Sequence, residues 1–193
     1  MSKKLKVGIL GTGNIGTDLL YKVLKSDELE LTLFMGHREE SKGIAIARSL
    51  GLPATTDSIQ ALVQHPELCD LVFDATSAKL HIKHAKILHE LGKKAIDLTP
   101  ACVGKMCVPA VNGDDCIECE NINMVTCGGQ ATIPLIKKVC EVQSGVRYVE
   151  VVASIASLSA GTGTRNNIDE FTQTTKRAIE ELGGAPRGKA IIT

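Results

Sequence analysis

The chain has 193 residues, of which 44% are apolar and 3% aromatic, and its 22 basic residues balance its 22 acidic ones. This length and apolar content are sufficient for a sizeable buried core in one or two domains. The balanced charge and the scarcity of aromatic rings give no electrostatic or stacking surface for nucleic acid. The sequence shows neither a long apolar run nor a signal-peptide pattern, so we expect a cytoplasmic protein, not bound to membranes, that acts on small metabolites.

A glycine-rich turn follows the first apolar stretch. Residues 6–10 predict a buried strand and residues 17–25 predict an amphipathic helix. Between them lies the sequence Gly11-Thr12-Gly13-Asn14-Ile15-Gly16. In a dinucleotide-binding turn the first glycine allows the tight turn, the second lets the backbone approach a pyrophosphate, and the third lets helix and strand pack closely. The segment therefore predicts a dinucleotide site, and the alternative is an ordinary turn that binds no nucleotide.

The end of the second predicted strand bears on which dinucleotide would bind. A carboxylate about twenty residues after the glycine turn usually binds the ribose hydroxyls. Here the strand predicted for residues 29–35 continues into Gly36-His37-Arg38, and Glu39 and Glu40 follow. Arg38 could pair with a 2′-phosphate or stack on adenine. The residues by themselves leave the choice between NAD and NADP open.

Predicted strands and helices alternate through the first half of the chain. Strands are predicted at residues 71–74 and 95–97, and helices at residues 41–50 and 79–91. This alternation indicates a doubly wound parallel sheet, in which ligands bind beyond the carboxyl ends of the strands. The loops at those ends, residues 74–78 and 97–100, are therefore candidate ligand loops. For Ser77 the alternative is a role as helix cap.

Cys127 is a candidate nucleophile. It lies in the sequence Thr126-Cys127-Gly128-Gly129-Gln130, between a predicted strand and a helix predicted for residues 131–142. A thiol shortly before a helix can be stabilised as a thiolate, and the two glycines would leave backbone amides open to an oxyanion. The alternative is a buried, inert cysteine at the end of a strand.

The remaining cysteines and histidines give weaker signals. Seven cysteines without a secretion signal favour reduced thiols. Four of them could converge on zinc: Cys102, Cys107, Cys116 and Cys119. Their spacing does not match common zinc folds, so we expect no metal site and interpret most of the thiols as small buried side chains. Three histidines share one predicted helix, where we expect a solvated surface rather than a metal site: His81, His84 and His89.

Beyond Cys127 a second domain is predicted. Residues 145–157 are rich in β-branched side chains and predict a long strand, and residues 168–182 predict an amphipathic helix. The intervening segment, residues 159–167, is rich in Gly, Thr and Asn and is predicted to be a loop. Its backbone donors and Arg165 could bind an anion, and the alternative is a flexible connector.

Five segments, taken in order along the chain, resemble the acylating acetaldehyde dehydrogenases. They are residues 6–19, 73–78, 97–101, 123–134 and 159–172. Members of this family convert acetaldehyde, NAD and coenzyme A into acetyl-coenzyme A and NADH. The resemblance implies a Rossmann-type domain at residues 1–126, followed by an incomplete α+β catalytic and dimerisation domain at residues 127–193.

The resemblance also implies the residues of the site. The family's catalytic cysteine falls on Cys127, and its first cofactor-binding stretch falls on residues 12–15 of the glycine turn. The second stretch comprises Ser159, Ala160, Gly161, Thr162, Gly163, Thr164, Arg165, Asn166 and Asn167. NAD is the implied cofactor and coenzyme A the co-substrate. A cysteine suits this chemistry because its thioester is stable enough to await transfer to another thiol.

This chain departs from the family pattern at two places. Family members usually carry proline at the position of Thr162, and they continue well beyond residue 193. We therefore expect a C-terminally shortened chain whose last strands lack some neighbours, with lowered stability or a tendency to associate.

The resemblance further implies a homodimer and an association with a 4-hydroxy-2-oxovalerate aldolase that supplies the aldehyde during aromatic compound degradation. Two alternatives stay open. One is a semialdehyde dehydrogenase of the related two-domain type, which would use phosphate as the acyl acceptor. The other is a non-catalytic relative that binds nucleotide without completing turnover.

Overall fold

The computed structural model describes residues 3–156, 165 and 167–193. The chain forms two compact units, Met1–Asp97 and Leu98–Thr193. Within the described ranges, no helix is long and apolar enough to cross a membrane.

In the first unit, the described residues form parallel strands in the order β3-β2-β1-β4-β5. These strands are β1 (Leu5–Leu10), β2 (Leu29–Met35), β3 (Ala54–Thr55), β4 (Leu71–Asp74) and β5 (Lys94–Asp97). The helices are α1 (Asn14–Leu24), α2 (Lys42–Ser49), α3 (Gln60–Gln64) and α4 (Ala78–Glu90), and a 3-10 helix spans Pro66–Leu68. This strand order is that of the doubly wound fold, so the predicted fold class is confirmed.

Strand register brings the functional loops of the first unit to one edge of its sheet. Leu10 at the end of β1 pairs with Asp74 of β4, and Asp74 pairs with Asp97 of β5. The glycine turn and the loop after β4 therefore leave the sheet side by side. The strands carry continuous apolar runs because both faces are covered, and Val7, Ile9 and Leu10 are fully buried.

The second unit contains two pairs of parallel strands among its described residues. The strands are β6 (Lys105–Met106) with β7 (Asn121–Asn123), and β8 (Val149–Ala153) with β9 (Gly188–Ile192). The helices are α5 (Pro109–Asn112), α6 (Cys127–Val142) and α7 (Ile168–Glu181), and a 3-10 helix spans Asp114–Cys116. A cluster of buried apolar residues forms its core: Met106, Val108, Val125, Ile133, Ile136, Val151, Ala178, Ile179 and Ala185.

Most predicted elements are confirmed to within a few residues, and two differ in an informative way. The strand predicted for residues 145–157 is limited to Val149–Ala153. Gly145, with a φ of +91°, turns the chain before this strand can begin. The helix predicted for residues 131–142 instead begins at Cys127, because Thr126 caps it there.

Candidate active site

The first candidate site is the glycine turn between β1 and α1. Gly11 has a φ of +102°, and a Cβ there would lie 2.5 Å from the Ala75 carbonyl oxygen. A Cβ on Gly16 would lie 1.8 Å from the Gly11 carbonyl oxygen, so only glycine lets the helix pack this closely on the turn. A Cβ on Gly13 would meet no atom of the described residues within 4 Å. Gly13 therefore faces open space, as the approach of a pyrophosphate requires.

An open cavity of about 640 Å³ lies beside this turn, a volume typical of sites for small molecules. Thr12, Gly13 and Asn14 line the cavity, whereas Ile15 is exposed and Gly16 is buried. Among the described residues, no side chain caps the N-terminus of α1, so its first backbone amides are available to an anion. The cavity thus fits the phosphates of a dinucleotide.

The rim of the cavity near the end of β2 carries three of the charged side chains that line the cavity. Arg38, Glu40 and Lys42 line this rim. Glu39 is engaged elsewhere, since its carboxylate binds Arg48, and this hydrogen bond lowers the pKa of Glu39. The rim therefore offers one carboxylate, Glu40, for ribose hydroxyls and two cations for a phosphate.

A buried network of titratable side chains surrounds Asp74 at the end of β4. One oxygen of the Asp74 carboxylate accepts hydrogen bonds from His81 Nδ1 at 2.9 Å and His84 Nδ1 at 2.8 Å. His81 Nε2 lies 3.4 Å from Asp97 Oδ2. Burial by itself would raise the pKa of Asp74, but the hydrogen bonds from the two histidines hold it well below its usual range.

The surface predicted for these histidines is therefore wrong for His81 and His84, which are 0% and 5% exposed, and confirmed only for His89. Two aspartates that end neighbouring strands supply the partners that make burial tolerable. Those aspartates were the sequence signal that could have revealed the network.

The network also fixes the loop after β4. The second oxygen of Asp74 accepts a hydrogen bond from the Thr76 backbone N–H at 3.0 Å. The Ser77 hydroxyl accepts one from the Leu80 N–H, so Ser77 caps α4, the alternative role considered for it. Because Gly11 packs directly against Ala75, this loop supports the glycine turn.

The second candidate site is the N-terminus of α6, where Cys127 is the first helical residue and is exposed. The helix starts here rather than at residue 131 because Thr126 is its N-cap. The Thr126 hydroxyl accepts a hydrogen bond from the Gly129 backbone N–H at 2.9 Å. The expectation that the Gly129 amide is open to an oxyanion is therefore wrong, since the cap uses it.

The backbone before Cys127 has an uncommon conformation. Val125 is buried and has a φ of +58°, a region that β-branched residues rarely occupy. The Asn123 side chain holds this turn, since its Oδ1 accepts from the Val125 N–H at 3.0 Å and its Nδ2 donates to the Thr99 carbonyl at 2.9 Å. Neutral hydrogen bonds thus fix the direction in which the chain enters α6.

Further buried side chains fix the first turn of α6. Gln130 Nε2 donates to two backbone carbonyl oxygens, at 2.7 and 2.8 Å. The Thr126 hydroxyl shares a 2.7 Å hydrogen bond with the Thr175 hydroxyl of α7. A Cβ on Gly128 would lie 2.9 Å from the Phe171 ring, so glycine at this position lets α7 pack against the turn.

The other cysteines do not share the setting of Cys127. Cys69, Cys107 and Cys116 are buried, and the remaining three are half-buried: Cys102, Cys119 and Cys140. Burial raises the pKa of Cys69 to about 11 and, together with the neighbouring Cys116, that of Cys107 to about 12. Both thiols are therefore protonated at neutral pH. In the part of the chain that the structure describes, no three His, Cys, Asp or Glu side chains are arranged to hold a metal.

The predicted second cofactor stretch lies mostly outside the described residues, which exclude Ser159, Ala160, Gly161, Thr162, Gly163, Thr164 and Asn166. Arg165 is exposed, and Asn167 is buried at the start of α7. A role of this stretch in cofactor binding remains a prediction.

Each unit therefore carries one candidate site. The first unit has an open cavity that suits a dinucleotide, and the second has an exposed thiol in the first turn of a helix. A thiol that adds to a carbonyl and a dinucleotide that accepts hydride are the two requirements of thiol-dependent aldehyde oxidation.

Two family models match the chain. Residues 6–118 match the model for the NAD-binding domain of semialdehyde dehydrogenases, and residues 127–193 match the model for the dimerisation domain of prokaryotic acetaldehyde dehydrogenases. The first match covers more than half of the chain.

Curated acetaldehyde dehydrogenases are similar over nearly all of this chain. The protein from Bacillus cereus is 56% identical over 98% of this chain, and the protein from Thermus thermophilus is 54% identical over 100% of it. The chain spans 63% of the length of the first relative and 62% of the second.

Solved structures share the fold at low identity. Aspartate semialdehyde dehydrogenase with NADP from Candida albicans has a TM-score of 0.69 at 14% identity, over 98% of this chain and 67% of that one. Aspartate semialdehyde dehydrogenase II from Vibrio cholerae has a TM-score of 0.58 at 17% identity, over 99% of this chain and 67% of that one. These likenesses show the fold alone.

Proposed function

The chain belongs to the acetaldehyde dehydrogenase family, and we propose that it catalyses the acylating oxidation of an aldehyde. The substrates in this proposal are acetaldehyde, NAD and coenzyme A, and the products are acetyl-coenzyme A and NADH. The observation that carries the proposal is Cys127, an exposed thiol held in the first turn of α6.

Cys127 is the nucleophile of this reaction. Its thiolate, which the N-terminus of a helix stabilises, forms a carbon–sulfur bond to the aldehyde carbonyl. Loss of hydride from the same carbon leaves a thioester on Cys127. The thiol of coenzyme A then attacks that thioester, takes the acyl group and releases the cysteine. Ordinary alcohols such as serine would form an oxygen ester, which transfers its acyl group to a thiol less readily.

The glycine turn would hold the cofactor. Thr12, Gly13 and Asn14 face the cavity, and the uncapped amides of α1 would donate to the pyrophosphate. NAD, when bound, supplies the hydride acceptor. The match of residues 6–118 to an NAD-binding model supports NAD as the cofactor. We assign further cofactor contacts to residues 159–167 on the resemblance alone.

The same resemblance supports proposals about organisation. We divide the chain functionally into a nucleotide-binding domain, residues 1–126, and a catalytic and dimerisation domain, residues 127–193, which matches a dimerisation model. That match supports a homodimer. We also propose that the protein associates with a 4-hydroxy-2-oxovalerate aldolase and is located in the cytoplasm.

The proposal is tested by following NADH absorbance in the purified chain with acetaldehyde and NAD, with and without coenzyme A. Two variants serve as a matched pair, because Cys127→Ala removes the nucleophile and Cys140→Ala removes a half-buried thiol of the same helix. We expect sustained, coenzyme-A-dependent NADH from the wild type and from Cys140→Ala, and none from Cys127→Ala.

Other outcomes identify the alternatives. Turnover that requires phosphate instead of coenzyme A would indicate the semialdehyde dehydrogenase reaction. Absence of NADH from a chain that still binds the nucleotide would indicate a non-catalytic relative. Equal activity in Cys127→Ala and the wild type would overturn the assignment of the nucleophile.

A further inference from the structure

Thr175 is a fully buried residue of α7 whose hydroxyl contacts the cap of the cysteine helix. Its Oγ1 lies 2.7 Å from Thr126 Oγ1, and Thr126 is 6% exposed. The Thr126 oxygen already accepts a hydrogen bond from the Gly129 N–H at 2.9 Å. A hydroxyl has one hydrogen and two lone pairs, so Thr126 can bond both partners at once.

This contact determines how the cap is oriented. The N-cap works only while the Thr126 side chain points its oxygen at the Gly129 N–H. Thr175 gives that oxygen a second partner in the same orientation, and both hydroxyls are shielded from water that could replace the bond. Cys127 directly follows Thr126, so the orientation of the cap also determines where the thiol sits in the first turn.

The conformation of Val125 adds an independent reason for such support. A β-branched residue at a φ of +58° persists only where its surroundings hold it in place. Asn123 holds the N-terminal side of this residue through the Val125 N–H. The hydroxyl pair of Thr126 and Thr175 holds the C-terminal side.

We propose that Thr175 is a positioning residue for Cys127. Through Thr126, it keeps the first turn of α6, and the thiol that this turn carries, in one fixed arrangement. The inference rests on the proposed role of Cys127 as nucleophile and extends the site to α7. In this role Thr175 acts through its hydrogen bond to Thr126.

The neighbouring residue provides a matched control. Thr174 is also buried, in the same helix, and its hydroxyl donates to the Pro100 carbonyl at 2.9 Å. Replacement of either threonine by valine removes one buried hydroxyl with little change in volume. Only the replacement of Thr175 alters the cap before Cys127.

The test measures alkylation of Cys127 by iodoacetamide from neutral to alkaline pH, with the modified peptide quantified by mass spectrometry. In Thr175→Val we expect alkylation at neutral pH to slow about three-fold, because the first turn of α6 no longer holds the thiol in one position. Thr175→Ser keeps the hydroxyl and should restore the wild-type profile. Thr174→Val should also keep that profile, although its unfolding temperature falls.

Identical profiles for Thr175→Val and Thr174→Val would overturn the positioning role. Thr175→Ala, which also lacks the hydroxyl and is smaller, replaces the valine variant if that variant fails to fold. The alkylation experiment uses neither nucleotide nor aldehyde. A negative result would therefore overturn the positioning role of Thr175 without bearing on the proposed reaction. Conversely, unimpaired NADH formation by Cys127→Ala would overturn the proposed reaction whatever the alkylation profiles show.

Discussion

Two strand–turn–helix segments of this chain can be compared directly. The turn from β1 to α1 places Gly11 at a φ of +102°, whereas the turn from β7 to α6 places Val125 at +58°. Gly13 caps α1 without a side chain, and Thr126 caps α6 through its hydroxyl. The first helix thus keeps its N-terminal amides for a ligand. The second uses the Gly129 amide internally and presents a fixed side chain, Cys127, in its first turn.

The two turns also differ in what lies around them. The glycine turn is supported by a loop that titratable groups fix, above all Asp74 with His81 and His84. The cysteine turn is held by neutral groups, namely Asn123, the hydroxyl pair of Thr126 and Thr175, and Gln130. The stability of the first arrangement should therefore depend on pH, because it contains titratable groups. The stability of the second should depend on the geometry of its hydrogen bonds, which join neutral groups.

The largest effect is expected from Asp74→Asn, which removes the charged partner of two buried histidines. We expect the free energy of unfolding at neutral pH to fall by about 3–5 kcal/mol. Because the folded-state pKa of Asp74 is depressed, its contribution is present above its unfolded pKa of about 3.9 and is lost as pH falls through the lower folded value. Urea unfolding from neutral to acidic pH measures this effect.

A matched control comes from an exposed pair in the same unit. Glu67 lies 3.6 Å from His65 at the surface, and Glu67→Gln should change stability by less than about 0.5 kcal/mol. A difference between Asp74→Asn and the wild type that does not shrink below about pH 4 would contradict the charged support of the glycine turn.

A pair of glycine substitutions separates packing from ligand binding in the first turn. Gly16→Ala places a methyl group 1.8 Å from the Gly11 carbonyl, and we expect it to lower stability by about 3 kcal/mol. The methyl group of Gly13→Ala meets no atom within 4 Å in the part of the chain that the structure describes, so this change should cost less than about 1 kcal/mol. Its methyl group should instead weaken NAD binding at least about ten-fold, or ~1.4 kcal/mol.

Thermal unfolding and calorimetric titration with NAD measure the two quantities for both variants. Full NAD affinity in a stably folded Gly13→Ala variant would show that the pyrophosphate does not approach this glycine. The dinucleotide assignment of the turn would then fail.

A smaller effect is expected from Asn123→Ala in the cysteine turn. The change removes the partner of the Val125 N–H and of the Thr99 carbonyl, and we expect a loss of about 2 kcal/mol. Because both bonds join neutral groups, this loss should stay constant between mildly acidic and neutral pH. Urea unfolding of Asn123→Ala and the wild type across that pH range measures this loss of stability. If the loss varied with pH as strongly as the loss in Asp74→Asn, the two turns would not differ in their dependence on pH.

Local patterns of the sequence predicted much of this architecture. The bounds of β2 and β4 are those predicted, because apolar strands between turn residues are defined by nearby sequence alone. The glycine turn was also predictable, since its steric demands fall on residues within one segment. Cys127 was selected as a candidate from its immediate neighbours, and its role as nucleophile stays a prediction.

What the sequence did not predict depends on contacts between distant segments. The burial of His81 follows from the register that places Asp74 beside Asp97. The partner of the Thr126 cap, Thr175, lies 49 residues further along the chain. The positive φ of Val125 runs against the preference of its side chain, so composition gave no sign of it.

We propose that Cys127 carries the acyl group while NAD is reduced, and mass spectrometry tests this claim most directly. The chain is incubated with acetaldehyde and NAD without coenzyme A, digested at low pH, and its peptides are weighed by mass spectrometry. We expect one acetyl group on the peptide that contains Cys127, in proportion to the NADH formed, and its loss when coenzyme A is added. NADH formation with an unmodified Cys127, or an acetyl group on another cysteine, would contradict the claim.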